Sequence, residues 1–242
     1  MSDAAGSPSA SAALAVWVKT PGRSPVKTRL AGTIGTPAAE AFYAHAVHAV
    51  EAVVRAAVDL VGAGALTPYW AVAEPEPEAA ASWAGFEVVG QGGGGLGERL
   101  AQVYDALRAR YERVLFIGAD APQLAPSLLA DAVRCLTPTA AGGGHDFVLG
   151  PAEDGGFYLF GGRRPLPRAV WTEVPYSDPG TLAALAPRLA ARGTLTMLPA
   201  AFDVDTADEL ARLGAALRAD EAVLLPAQRA LSRWISARGG RA

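Results

Sequence analysis

Cysteine is nearly absent. Cys135 stands alone in 242 residues, so no internal disulfide can form, and the three histidines at 45, 48 and 145 give no Cys/His spacing that suits zinc. A reducing compartment, the cytoplasm, is the expected location. Positive charge is not in excess either: 21 Lys+Arg against 24 Asp+Glu leave a formal charge of −3, without the basic footprint that duplex nucleic acid requires. Long apolar runs are also missing. Ala12 to Val18 is too short, and has no basic flank, for a signal peptide. The Ala-rich stretch from Ala38 to Leu66 is broken by His45, His48, Glu51, Arg55 and Asp59, whereas a membrane span needs about 20 mostly apolar residues. Neither a Walker-type Gly-x4-Gly-Lys-Ser/Thr loop nor the Gly-x-Ser-x-Gly elbow of a Ser/His/Asp triad occurs.

What is present is core material and punctuation. Apolar types make up 51% of the chain, with 27 Gly and 18 Pro between them, which excludes disorder for the bulk of the sequence. Residues 1–12, polar and small, read as a flexible arm, and 13–242 as a single domain. Short apolar runs bounded by Gly and Pro alternate with segments of helical period. That pattern predicts an α/β fold with a mostly parallel central sheet and flanking helices. Strands are expected at Leu14–Val18, Tyr69–Ala73, Phe86–Val89, Val114–Gly118, Phe147–Gly150, Phe157–Phe160 and Leu195–Leu198. Phe42, Ala46, Ala49, Val50, Val53, Ala57 and Leu60 mark one buried helical stripe; Leu100, Val103, Tyr104, Leu107 and Tyr111 mark another. Pro126 and Pro179 each suit a first helical turn, and Thr206 with Glu209 forms a capping box. Val114–Gly118 is apolar at every position, as a strand buried on both faces should be.

Open α/β sheets bind ligands at their carboxyl edge, and four polar segments follow predicted strands there. The loop Lys19-Thr-Pro-Gly-Arg-Ser-Pro-Val-Lys-Thr-Arg-Leu30 carries Lys19, Arg23, Lys27 and Arg29 into a helix. Such a loop is either a diphosphate or triphosphate site or a solvated basic surface. Gly90-Gln-Gly-Gly-Gly-Gly-Leu-Gly-Glu-Arg-Leu100 removes side chains where a base or ribose would approach, or is a loose surface loop. Asp120, in Gly-Ala-Asp-Ala-Pro122, is placed to hold Mg²⁺ or Mn²⁺ against substrate phosphates, or to cap the next turn. Asp203 and Asp205 fall on one side of an extended segment and could complete a metal or hydroxyl site. His45 and His48, three apart without a third ligand, read as plain helix positions, and Cys135 as a buried, inert thiol.

Taken in order, KTPGRSPVKTRL (Lys19 to Leu30), GLGERL (Gly95 to Leu100), GADAPQL (Gly118 to Leu124), GPAEDGGFYLFG (Gly150 to Gly161) and DVDTADEL (Asp203 to Leu210) resemble the rSAM/selenodomain-associated transferase 1 family. Its members are also named arsenosugar biosynthesis glycosyltransferases, of the GT-A nucleotide-diphospho-sugar transferase superfamily. More distantly the pattern is similar to phospholactate and molybdopterin guanylyltransferases.

The resemblance implies a metal-dependent transferase, using a nucleotide-sugar or NTP donor and a small-molecule acceptor. Lys19, Pro21, Gly22, Arg23, Lys27, Arg29, Gln91, Gly95, Gly97 and Arg99 would bind the nucleotide. Asp120 with Asp203 or Asp205 would hold Mg²⁺ or Mn²⁺, and Lys27 and Arg29 would stabilise the departing phosphate. Asp154 would act at the acceptor as base or hydroxyl partner, among Glu153, Gly155, Gly156, Phe157 and Tyr158. Glycosyl transfer leads; nucleotidyl transfer with release of pyrophosphate, or a catalytically silent nucleotide-binding module, are the alternatives. Residues 219–242 offer a helix for the core or for a second subunit, which leaves a homodimer open.

Overall fold

The computed structural model describes residues 9–75, 77–138 and 143–239. The elements are β1 (Ser9–Val18), α1 (Thr28–Ile34), α2 (Thr36–Val61), β2 (Leu66–Val72), α3 (Pro77–Ala81), β3 (Glu87–Gly90), α4 (Leu96–Arg108), β4 (Tyr111–Gly118), α5 (Pro126–Cys135), β5 (Phe147–Pro151), β6 (Phe157–Gly162), α6 (Arg168–Thr172), α7 (Thr181–Ala190), β7 (Leu195–Met197), α8 (Ala207–Ala219) and α9 (Pro226–Gly239).

The strands form one sheet in the order β3-β2-β1-β4-β6-β5-β7. β1, β2, β3 and β4 run parallel. β6 is antiparallel to both β4 and β5, and β5 pairs with β7 in parallel. The sheet is therefore mixed, with β6 as the reversed strand. Because β6 is reversed, the turn that enters it from β5 lies at the same edge as the ends of β1 and β4, and that places Asp154 beside the loops following those strands.

Alternation along the central strands builds a core on each face. Ala12, Leu14, Val16 and Val18 of β1, with Leu115 and Ile117 of β4, pack with Val50, Val53 and Val54 of α2 and Leu129 and Val133 of α5. Ala13, Ala15, Val114 and Phe116 face the other way, onto Leu100, Val103, Tyr104 and Leu107 of α4 and Trp171 of α6. A third cluster joins α1, α2, α8 and α9 through Leu30, Phe42, Leu213 and Leu231. No helix among the described residues is long and apolar enough to cross a membrane.

Several expectations shift in detail. β1 begins at Ser9, ahead of the first large apolar residue, because Ala12 and Ala13 are fully buried between β2 and β4 despite their size. Of the arm expected over residues 1–12, 1–8 lie outside the described residues and 9–12 are in this strand. Leu60 is 53% exposed, in the last turn of α2 before the chain reverses at Gly62, where no described residue covers it. Pro179 does not open α7, which starts at Thr181; Asp178 accepts the Gly180 N–H at 2.7 Å in a turn between them. Pro126 and the Thr206/Glu209 box do begin α5 and α8.

Leu115 is fully buried at the centre of the sheet. Leu115→Ala should cost about 2–5 kcal/mol in chemical denaturation with an unchanged denaturant slope.

Candidate functional site

The basic loop after β1 is anchored before it presents any charge. Arg23 and Ser24 N–H both donate to the Thr20 carbonyl. The Thr20 N–H and hydroxyl donate in turn to the Glu74 carboxylate at 3.0 and 2.8 Å, and Trp83 Nε1 donates to Thr20 Oγ1. Burial pushes the Glu74 pKa up, but hydrogen bonds from Ser24 and Thr20 outweigh it and leave the carboxyl below its ordinary range. The Tyr43 hydroxyl accepts from the Lys19 N–H at 2.9 Å; burial raises its pKa, so it stays protonated. Sequence reasoning missed Glu74 and Tyr43. Glu74 carried a weak signal, an acidic residue just past a strand end.

Lys27 departs from the picture of a free phosphate-gripping cation. It adopts a left-handed backbone (φ 48°) as the N-cap of α1, and its side chain is 3% exposed. The ammonium lies 2.5 Å from Asp120 Oδ1 and 2.9 Å from Asp205 Oδ1. Burial works to lower its pKa, yet the Asp120 and Asp205 charges and hydrogen bonds prevail and raise it. Lys27 is thus a fixed positive charge. Arg29 approaches Asp205 only to 3.8 Å and is 75% exposed, so its guanidinium fork remains available to a ligand.

The acidic side of the cleft is assembled from three segments. Val204 N–H donates to the Asp120 carbonyl, which ties the segment leading into α8 to the loop after β4. The Asp205 and Thr206 N–H groups are both taken by Glu209 Oε2. Asp154 Oδ1 accepts the Gly156 N–H at 2.8 Å in the β5–β6 turn. That turn requires glycine at 155: its φ is 90°, and a Cβ there would meet the Pro179 carbonyl oxygen at 2.0 Å. Burial, then Asp154, with Asp205 and Asp120 adding, pushes the Asp203 pKa up to about 6.

Two cavities meet at Asp120. One, of about 660 Å³, is lined by Lys19, Lys27, Arg29, Gln91, Gly95, Arg99 and Asp205. The other, of about 340 Å³, is lined by Asp154, Asp203, Gly156, Phe157, Tyr158, Phe116 and Tyr176. Both are walled by Trp17, Leu96, Gly118, Asp120 and Ser177. A third recess, of about 560 Å³, joins Arg23, Glu74, Lys19 and Arg99. Among the described residues, Lys27 and Ser177 are the two non-glycine positions with left-handed backbone, and both line the first cavity. Such conformations concentrate at functional sites.

Other sequence-selected residues are placed differently. Pro21 and Gly22 form the exposed tip of the basic loop, outside the linings of these cavities. Gly97 is buried: a Cβ would meet the Trp171 carbonyl oxygen at 2.4 Å and the Tyr176 ring at 2.9 Å, so it allows α4 to pack closely. Glu153 turns outward to Arg212, at 2.6 and 2.7 Å. His48 lies 3.8 Å from Glu51, and the His45 ring packs on Trp234. Ser177 and Tyr176 were missed, since nothing local marks them.

Among the described residues, no group of three or more His, Cys, Asp or Glu is gathered closely enough to hold a metal ion. An all-protein cage is therefore absent from that set. The donors at the junction are nonetheless hard carboxylate oxygens, and the Asp120 side chain is 46% exposed there. That suits Mg²⁺ or Mn²⁺ bound by one or two carboxylates, with phosphate oxygens completing the shell.

The family model described as "Uncharacterized protein conserved in bacteria (DUF2064)" matches residues 36–178. No curated protein sequence matches the chain significantly. Among solved structures, a candidate nucleotide-diphospho-sugar transferase from Desulfovibrio desulfuricans G20 is similar, with TM-score 0.74 and 24% identity, covering 93% of this chain and 95% of that one. CMP:2-keto-3-deoxy-manno-octonic acid synthetase in complex with CTP is similar at TM-score 0.52 and 16% identity, over 87% of this chain and 99% of the other. These likenesses establish the GT-A nucleotide-diphospho-sugar transferase-like fold.

An acid whose pKa is raised from 3.8 to about 6 stabilises the fold below its unfolded pKa and loses that contribution as pH rises through 6. Asp203→Asn should therefore raise the melting temperature more at pH 7 than at pH 4. An equal change at both pH values would contradict the burial and repulsion assigned to Asp203.

Proposed function

The chain belongs to the DUF2064 family, and on that premise we propose that it transfers a group from a nucleotide-activated donor to a small-molecule acceptor. The carrying observation is the junction at Asp120, where a cationic cavity opens beside an acidic, aromatic one. The leading reaction is glycosyl transfer from a nucleoside-diphosphate sugar. The five ordered motifs support the rSAM/selenodomain-associated transferase 1 family as the nearer relationship, with residues 13–242 as one catalytic unit.

In this reading Lys19, Arg29 and Arg99 receive the donor phosphates, and Lys27 supplies fixed positive charge beside them. Asp120, with Asp205 or Asp203, would hold Mg²⁺ or Mn²⁺. The ion would neutralise charge on the diphosphate. The acceptor hydroxyl oxygen attacks the anomeric carbon, and the bond from that carbon to the diphosphate oxygen breaks with its electron pair leaving on the nucleoside diphosphate. The hydroxyl proton passes to Asp154 or to its neighbour Asp203. Lys27 and Arg29 then stabilise the charge that develops on the leaving group.

Nucleotidyl transfer is the second reading, supported by the fold shared with a synthetase that binds CTP. There the acceptor attacks the α-phosphorus of an NTP and pyrophosphate leaves with the electron pair. Both reactions use the same cations.

A thermal-shift panel of NTPs, UDP-sugars and GDP-sugars, with and without Mg²⁺, tests the choice. Stabilisation by a sugar nucleotide, followed by release of its nucleoside diphosphate, supports glycosyl transfer. Stabilisation by an NTP with pyrophosphate release supports the second reading. Nucleotide binding without turnover on any donor would overturn both. Asp120→Asn should cost turnover far more than folding, since Asp205 still pairs with Lys27. Lys27→Met should weaken nucleotide binding and lower the melting temperature, since it removes the cation between Asp120 and Asp205, while Arg218→Ala should leave nucleotide binding unchanged.

A further inference from the structure

The two cavities at the sheet edge differ in the sign of their charge. Every ionisable side chain with a formal charge in the lining of the 340 Å³ cavity is a carboxylate: Asp120, Asp154, Asp178 and Asp203, with no Lys, Arg or His among them. The lysines and arginines of the edge line the larger cavity instead. Asp120 pairs with Lys27 at 2.5 Å, an ammonium it shares with Asp205, but no ion pair to Asp154, Asp178 or Asp203 occurs among the described residues.

Beside Ser177 and Thr181, the remaining walls present mainly carbon. The Tyr158 hydroxyl is turned away and donates to the Pro199 carbonyl at 2.9 Å. Trp17 Nε1 and the Tyr176 hydroxyl are buried under neighbouring atoms rather than exposed to the cavity. Phe116 and Phe157 complete an apolar lining. The volume is at the small end of ligand sites and suits a molecule of about one ring.

Resting on the transferase reading above, we infer that the acceptor is a small neutral or cationic hydroxyl compound with one apolar face, and that carboxylate and phosphate acceptors are rejected. An anionic acceptor would place its charge beside Asp154, Asp178 and Asp203 with no Lys, Arg or His in the lining to receive it, and a divalent ion at Asp120 would already be engaged by the donor diphosphate. A neutral or cationic one meets hydrogen-bond acceptors at one side and ring carbon at the other.

Three probes of one skeleton isolate charge from shape: tyramine, tyrosol and 4-hydroxyphenylacetate, which are cationic, neutral and anionic at neutral pH. Their affinities for the intact protein are measured by calorimetry, together with those of UDP and CTP with Mg²⁺ on the same samples. Tyramine and tyrosol should each bind at least about tenfold more tightly than 4-hydroxyphenylacetate, a modest gap for a unit charge beside unpaired carboxylates. The gap should narrow in the Asp154→Asn/Asp203→Asn variant. Equal or tighter binding of the acid, a gap unaltered in the variant, or no measurable binding of any of the three overturns the inference. Nucleotide binding with the wrong acceptor order sinks the acceptor assignment alone. The predicted acceptor order without nucleotide binding upholds the acidic pocket and overturns the donor reading.

Discussion

The ammonium of Lys27, held between the carboxylates of Asp120 and Asp205, is the contact on which the site depends. It connects the loop after β1, the end of β4 and the segment entering α8, the last separated from Lys27 by 178 residues in sequence. Desolvating such a group is costly, and a buried ion pair is weak evidence of stability. Its effect here is positional. Without the ammonium, Asp120 and Asp205 would repel one another at the mouth of the cleft, and the left-handed turn at Lys27 would lose the partners that offset its strain.

From that contact follows the separation of charge across the edge. Exposed cations, Arg29 above all, face the larger cavity, while unpaired carboxylates face the smaller one. Asp120 belongs to both. The proposed group transfer would use this polarity: positive potential where the leaving phosphate gains charge, and a proton acceptor where the nucleophile loses one. Glutamate 74 and Tyr43 support the arrangement from behind by fixing the loop backbone at Thr20 and Lys19.

Much of this was legible in the sequence because the signals were local. An unbroken apolar run marked β4, a capping box marked α8, and polar residues directly after strands marked the edge. What was not legible depended on chain reversal and distant packing. Nothing in the composition of Phe157–Gly162 distinguishes an antiparallel strand from a parallel one, yet that reversal brings Asp154 to the cleft. Gly97 sat in a motif that looked made for a ligand, and its missing side chain serves Trp171 and Tyr176 instead. Its place in a basic loop marks Lys27 as a site residue, but spacing cannot show that two carboxylates already hold it.

The most direct test is diffraction from crystals soaked with UDP and Mn²⁺, using the anomalous signal of the metal. The account predicts a manganese peak coordinated by Asp120, with the diphosphate between it and Arg29 and the Lys27 ammonium beside both. A diphosphate bound away from the β1–α1 loop, or manganese that ignores Asp120, would contradict it.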